Sequence, residues 1–235
     1  MPVEGIRARI AEVRARIERA AARARRDASE VRLIAVGKGH PVAALEVALG
    51  AGCRELAESY VQELAHKAAA PSLRTAAEAG TLGWHFVGRL QRNKVKALAE
   101  VPGLALVHAV DRTALVGELA RRAAASGRTV SILIEVALAG EAQKGGVDPA
   151  ALGALIAEVE RHRALALAGL MTVPPAGEDA ESARPFFRRL RELRDAHGGA
   201  ARLPELSMGM SHDLEVAVEE GASIVRVGTA IFGPR

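Results

Sequence analysis

The residues of this chain best placed to do chemistry are one lysine, one arginine and two small glycine-hydroxyl motifs. The segment VRLIAVGK, 31–38, reads as a short strand that ends in Lys38. Leu33 to Val36 is an uninterrupted apolar run, as expected of a strand covered on both faces. A lysine at the end of such a strand is costly to bury and has no apolar role, so Lys38 is the first candidate nucleophile; a loop lysine reaching water is the plain alternative. LSMGMS places Ser207 and Gly209 just before a helix N-terminus near His212, and RVGTAIFG places Gly228 and Thr229 at the end of a strand. Hydroxyl donors, glycines that let an oxygen approach backbone N–H groups, and a favourable helix dipole suit a phosphate. Two tight turns would use the same residues. Arg226 sits inside the apolar stretch SIVRVGTAIFG, on the same face as Ile224 and Gly228. It needs a partner, either a strand carboxylate such as Glu135 or a ligand at the end of the strands.

Composition narrows what can surround these residues. The chain has 235 residues, of which 49% are hydrophobic and only 3% aromatic, so its core is built from Ala, Val, Leu and Ile. The net charge is +4, and 27 of the 32 basic residues are arginines. Against that bias each of the few lysines carries information. Cys53 is the single cysteine, which excludes an internal disulfide and a cysteine metal site, and the seven histidines show no metal-ligand spacing such as HExxH. No metal is expected. There is no apolar signal core and no apolar run of membrane-spanning length, so a cytoplasmic protein without membrane contact is expected.

The elements that must position these residues alternate. Residues 3–28 read as a helix with Ile6, Ile10, Val13 and Ile17 on one face and eight arginines between Arg7 and Arg26. With no aromatic residue interleaved, those arginines read as a solvated face and not as a nucleic-acid surface. Strands are then expected at 31–38, 53–57, 82–87, 104–110, 130–138, 165–173, 206–210 and 223–231. Helices fall between them, with Ser59, Asp111 and Ser211 as caps and Pro71 ending the helix after Ser59. Eight strand–helix units fit a closed (β/α)8 TIM barrel, an α/β fold, better than an open doubly wound sheet, because GKGHP is not the glycine fingerprint of the latter. The expectation is one domain, 1–235, with the N-terminal helix packed on the barrel. In such barrels the loops after strands seven and eight commonly hold phosphate, which is where both glycine-hydroxyl motifs fall.

A lysine, a phosphate cradle and an interior arginine together point to pyridoxal 5′-phosphate, whose aldehyde condenses with a lysine amine and whose ring nitrogen needs a partner. An arginine keeps its proton, so it would donate to an unprotonated ring nitrogen and leave the ring a weak electron sink.

Through AVGK, ESYVQE, WHFVGRLQRNK, HAVD, QKGG, GLMTVPP, LSMGMS and VRVGTAIFG the chain resembles the pyridoxal phosphate homeostasis proteins (YggS/PROSC), over almost its whole length. The resemblance implies the barrel fold of the alanine racemase N-terminal domain and Lys38 as the Schiff-base lysine. It places the phosphate on Ser207, Gly209, Gly228 and Thr229 and the pyridine nitrogen on Arg226. It further implies that Ser59 and His85 line the mouth and that Met171 and Met210 pack around the ring. The chain departs from the family pattern at Gly37 and Gly39, which replace Ser and Thr around the lysine, at the GENY motif, read here as Ala57, Glu58, Ser59, Tyr60, and at Ala137, where an asparagine is usual.

Three functions are consistent with these residues. The first is a non-enzymatic carrier or regulator of pyridoxal phosphate that acts in vitamin B6 and amino-acid balance, a monomer whose partners are the cofactor and PLP-dependent apoenzymes. The second is a slow amino-acid racemase using Lys38 with water or Tyr60. The third is a sugar-phosphate enzyme in which Lys38 attacks a carbonyl. Lys144, in QKGG, reads as a second anion site or a solvated loop lysine.

Overall fold

A computed structural model describes residues 5–139, 145–175, 177 and 179–234; Lys144 lies outside them. Helix α1, Ile6–Arg23, comes first. There follow β1 Arg32–Val36, α2 Val42–Gly50, β2 Glu55–Glu58, α3 Val61–Ala68, α4 Pro71–Glu78, β3 Gly83–Phe86, α5 Val95–Ala99, β4 Leu104–Val110, α6 Thr113–Ala125 and β5 Val130–Glu135. The chain ends with α7 Leu152–Glu160, β6 Leu165–Met171, α8 Arg184–Ala196, α9 Gly199–Arg202, β7 Glu205–Ser207, α10 Leu214–Glu219, β8 Ile224–Val227 and α11 Thr229–Phe232. The eight strands close in sequence order into a barrel, and every neighbouring pair, β8 with β1 included, is parallel. The (β/α)8 barrel with an additional N-terminal helix is the observed fold.

Alternation along each strand divides the core in two. Outward residues such as Leu56, Trp84, Phe86, Ile132, Ile134, Val225 and Val227 pack beneath the helices in the main apolar core. Inward residues Ile34, Ala57, Leu106, Leu133, Met171 and Ile224 form a smaller cluster inside the barrel. His85, His108, Ser207 and Arg226 share that interior with them, all buried.

Several boundaries differ from expectation for local reasons. Strand β8 stops at Val227, and the apolar run Ala230–Phe232 turns into α11, where Ile231 and Phe232 are buried. Pro71 starts a helix instead of ending one, since the first helical position needs no N–H donor. None of the three foreseen caps acts as one. The helix after Ser59 is capped at Tyr60, that after Asp111 at Arg112 and α10 at Asp213, with no side-chain cap bond in any of them. The arginines of α1 and of the turn after it are staples more than a solvated face. Arg7 and Arg14 donate to carbonyls of residues 50–52, Arg16 pairs with Glu215, Arg23 with Glu219, and Arg26 donates to the carbonyls of Val218 and Ala222. No described helix is long and apolar enough to cross a membrane.

Candidate functional site

Lys38 lies two residues beyond β1, in a turn closed by the Gly37 carbonyl, which accepts from the His40 N–H at 2.9 Å. Gly39 occupies the third position of that turn with φ +77°, and Lys38 itself has no positive φ. This is a type II turn, whose third residue favours glycine. Gly37 is tied as well: a Cβ there would stand 2.7 Å from Leu45 Cδ1 and 2.8 Å from Glu58 Oε1. The two glycine departures from the family pattern are therefore demanded by this chain's own turn and packing.

An ion cluster on α3 and β2 grips the turn from both sides of Lys38. The Lys67 ammonium, 3% exposed, donates to the Gly37 carbonyl at 2.8 Å and to Glu58 and Glu63 at 2.7 Å each. Glu63 in turn accepts the Gly39 N–H at 2.7 Å. Burial alone would raise the Glu63 carboxyl, but Lys67, the Gly39 N–H and Lys38 outweigh it and hold it below the ordinary range. The Lys38 ammonium stands over the Tyr60 ring, 4.9 Å from its centroid.

From this turn Lys38 enters a cavity of about 240 Å³ at the C-terminal mouth of the barrel, shared with Ser59, Met210, Ser211, Arg226, Gly228 and Thr229. Gly209 has φ +93°, and a Cβ on it would stand 2.5 Å from the Ala217 Cβ, so only glycine fits where the β7 loop crosses α10. A Cβ on Gly228 would stand 3.2 Å from the Val36 carbonyl oxygen. The Ala230 N–H donates to the Ser211 hydroxyl at 3.1 Å, which ties the loop after β7 to the turn after β8.

Arg226 forms the floor. It donates from Nη1 to Ser207 Oγ at 2.6 Å and from Nη2 to the Thr172 carbonyl at 3.1 Å. Burial pushes its pKa down to about 10, opposed by Glu135 and Asp213, so the charge survives at neutral pH. Beneath it runs a buried chain of contacts. Ser207 Oγ is 2.9 Å from His108 Nδ1, and His108 Nε2 is 3.0 Å from His85 Nδ1. Because a guanidinium can only donate, Ser207 Oγ accepts from Arg226, and the two histidine contacts run in the direction their ring tautomers set. His85 Nε2 faces Glu55 Oε1 at 3.7 Å, too long for a hydrogen bond. Burial, helped by His85, Arg226 and Arg32, holds His108 well below the ordinary histidine range and therefore neutral.

The structure gathers Lys38, Ser59, Met210, Arg226, Gly228 and Thr229 around one cavity, with Gly209 shaping its wall. It places three expected residues elsewhere. Ser207 is fully buried with its hydroxyl engaged by Arg226 and His108, so it supports Arg226 from below and does not face the cavity. The register explains this: Ser207 pairs with Ile224, two residues below Arg226. His85 is fully buried at the far end of the same chain, and Met171 lies in the inner apolar cluster. Ser211, read only as a helix cap in sequence, lines the cavity where Ser207 was expected. Lys67 was missed too, although its rarity as a lysine in this arginine-rich chain was a usable signal. Glu135 approaches Arg226 electrostatically without bonding to it; burial and then Asp111 raise its carboxyl to about 7, against Arg226 and Arg89.

A closed parallel barrel with a lysine after the first strand and a glycine-hydroxyl cradle after the last two is the class of the alanine racemase N-terminal domain, and the family model of that description matches residues 9–235. The alanine racemase of Corynebacterium glutamicum shares the fold, with a TM-score of 0.70 at 16% identity over 62% of that chain. Nearer relatives are more specific. The pyridoxal phosphate homeostasis protein of Aquifex aeolicus is 42% identical over 206 residues, 87% of each chain, and that of Pseudomonas aeruginosa is 41% identical over 87% of this chain and 85% of its own. The structure of PipY from Synechococcus elongatus with PLP bound matches with a TM-score of 0.79 at 35% identity, over 97% of this chain and all of that one. The chain belongs to the family of pyridoxal phosphate homeostasis proteins.

Proposed function

We propose that this chain binds pyridoxal 5′-phosphate as a Schiff base on Lys38 and serves intracellular PLP homeostasis and amino-acid balance as a cytoplasmic carrier that hands the cofactor to apoenzymes. The observation that carries this reading is the sharing of one small cavity by the Lys38 amine, the Arg226 guanidinium and the Ser211–Gly228–Thr229 cradle. The residues fit the group: an amine for the aldehyde, a cation that only donates for the ring nitrogen, and hydroxyls with a glycine for the phosphate. When bound, the cofactor supplies a reversible carbonyl condensation with an amine.

The chain's own residues set what can happen there. The type II turn and the Lys67 ion cluster hold the backbone on both sides of Lys38, so the amine is presented from a fixed base. Arg226 keeps its proton and its two contacts, so it donates to a ring nitrogen without surrendering a proton. That makes carbanion chemistry weak and favours storage over turnover. PipY was solved with the same cofactor bound, which supports the reading.

The test is the visible spectrum of the protein mixed with pyridoxal phosphate, followed by borohydride reduction and peptide mapping. Wild type should develop absorption that Lys38→Ala lacks, with the reduced adduct on Lys38. An adduct on Lys67, Lys94 or Lys96 with none on Lys38 would refute the assignment. A racemase would instead show rapid exchange of the amino-acid Cα hydrogen with solvent.

A further inference from the structure

A second, larger groove of about 780 Å³ opens beside the cofactor cavity, and Lys38 and Ser59 line both. Five cations line it, Lys38, Arg89, Arg92, Lys94 and Arg112, and among the described residues no carboxylate does. Of these, Arg112 is paired with Asp111. Among the described residues, no carboxylate lies within ion-pair distance of Arg89, Arg92 or Lys94. The chain elsewhere ties most of its arginines to glutamates or carbonyls, as in Arg16, Arg32, Arg184 and Arg202. Arg89, which acts on Glu135 only through its field, and Arg92 and Lys94 thus form a cluster of neighbouring cations with no ion pair among the described residues.

The loop that carries them is built to stay in place. A Cβ on Gly88 would stand 2.0 Å from the Ser59 carbonyl oxygen, so the loop after β3 lies directly against the Lys38 side of the mouth. Leu90 is buried, and its carbonyl accepts from Arg112 Nη2 at 2.8 Å. Holding like charges together on a fixed loop costs Coulomb energy that an external anion would relieve.

A second feature surrounds the same opening. Among the described residues the exposed large hydrophobic side chains are Tyr60 at 56%, Val173 at 39% and Met210 at 37%. Tyr60 lines the groove, and Val173 and Met210 line the cofactor cavity. Apolar and aromatic side chains beside arginines, around one opening, are the composition of a protein-docking surface. A nucleic acid would leave Val173 and Met210 without a counterpart. A second copy of this chain, at net charge +4, would bring like charge.

We propose that the mouth of the barrel, on the side of the loop 88–94, docks an acidic segment of a partner protein that carries apolar side chains between its carboxylates. The inference rests on the carrier reading: the docked segment covers Lys38, the residue common to cavity and groove, and so places the partner where the cofactor leaves.

The test uses the whole protein, with and without cofactor, and a Glu-rich peptide bearing one Leu and one Phe, against the same peptide with Gln at every Glu. Calorimetry should show binding of the acidic peptide only, weakening steeply with salt and by about tenfold or more in the double variant Arg89→Glu, Arg92→Glu. The peptide should also slow acetylation of Lys38 in cofactor-free protein, read by mass spectrometry. Equal binding of the Gln peptide, indifference to the charge reversal, or no protection of Lys38 overturns the proposal. So does an oligonucleotide that displaces the peptide at lower concentration than free peptide does, or a dimer in sedimentation that the charge reversal dissolves. Cofactor loading is read separately by absorbance; its absence in wild type would sink the carrier reading and leave the peptide result standing.

Discussion

Lys67 reaches from α3 to set its ammonium 2.8 Å from the carbonyl oxygen of Gly37, the residue before Lys38. The same nitrogen contacts Glu58 and Glu63, and Glu63 holds the Gly39 N–H on the other side of Lys38. One buried ammonium thus organises the backbone on both sides of Lys38. Lys67→Met removes the cation and leaves the Glu58 carboxylate buried without it, a loss of about 3–5 kcal/mol. Thermal unfolding should show the drop. Glu63→Gln, a milder change at a partly exposed site, should fold well and load pyridoxal phosphate more weakly.

Gly39 and Gly37 should resist restoration of the family's usual residues, each for its own reason. Gly39→Thr places a β-branched residue at φ +77° and should cost about 1–3 kcal/mol. Gly37→Ser drives a side chain into Leu45 and Glu58 and should cost a similar ~1–3 kcal/mol through overpacking. Denaturant titrations measure both, and in each the loss of cofactor loading should accompany the loss of stability.

The proposed phosphate cradle is tested by Ser211→Ala and Thr229→Ala. Each removes a neutral hydroxyl contact of about 1 kcal/mol, so the dissociation constant for pyridoxal phosphate should rise several-fold. Binding of pyridoxal, which lacks the phosphate, should be unchanged in both. Ser207→Ala should behave differently, since its hydroxyl serves Arg226 and His108. Its effect should fall on the absorption band of the loaded protein and on stability more than on the preference for the phosphorylated form.

The buried contacts from Arg226 to His85 hold His108 between Ser207 and His85. Nitrogen-15 NMR should show His108 as one neutral tautomer, unchanged over about pH 5 to 8, because burial keeps that ring neutral. The unfolded chain takes up a proton there below the ordinary histidine range and the folded protein does not. Stability from this group is therefore present at higher pH and lost as pH falls through that range. His108→Phe takes the hydrogen-bond partner from buried His85 Nδ1 and one of two contacts from Ser207, and should cost about 1–3 kcal/mol.

Glu135 has the opposite pH signature. Its carboxyl is raised from 4.5 to about 7 by burial and by Asp111. The folded protein holds this proton more tightly than the unfolded chain, so the stability it contributes is complete below the ordinary carboxylate range and drains away as pH rises to about 7. Glu135→Gln should flatten that slope and be more stable than wild type by ~3 kcal/mol at alkaline pH. Chemical denaturation across the range measures it.

The barrel and its reactive end were readable from pattern alone. Apolar runs, the spacing of helical faces and the lysine after the first run are local properties, so eight strand–helix units and Lys38, Arg226, Gly228 and Thr229 stood out before any coordinates. What pattern could not supply is height along the barrel axis. Ser207 and His85 lie on inward faces as Arg226 does, but strand register sets Ser207 two residues below it, and His85 closes off, fully buried, at the far end of the contacts that run from Ser207 through His108. Nor could pattern reveal that Lys67, from a helix outside the sheet, would close on Gly37, or that Gly37 and Gly39 answer to that packing. Those relations join residues from separate elements, and only the closed sheet and the helices packed on it bring them within bonding distance.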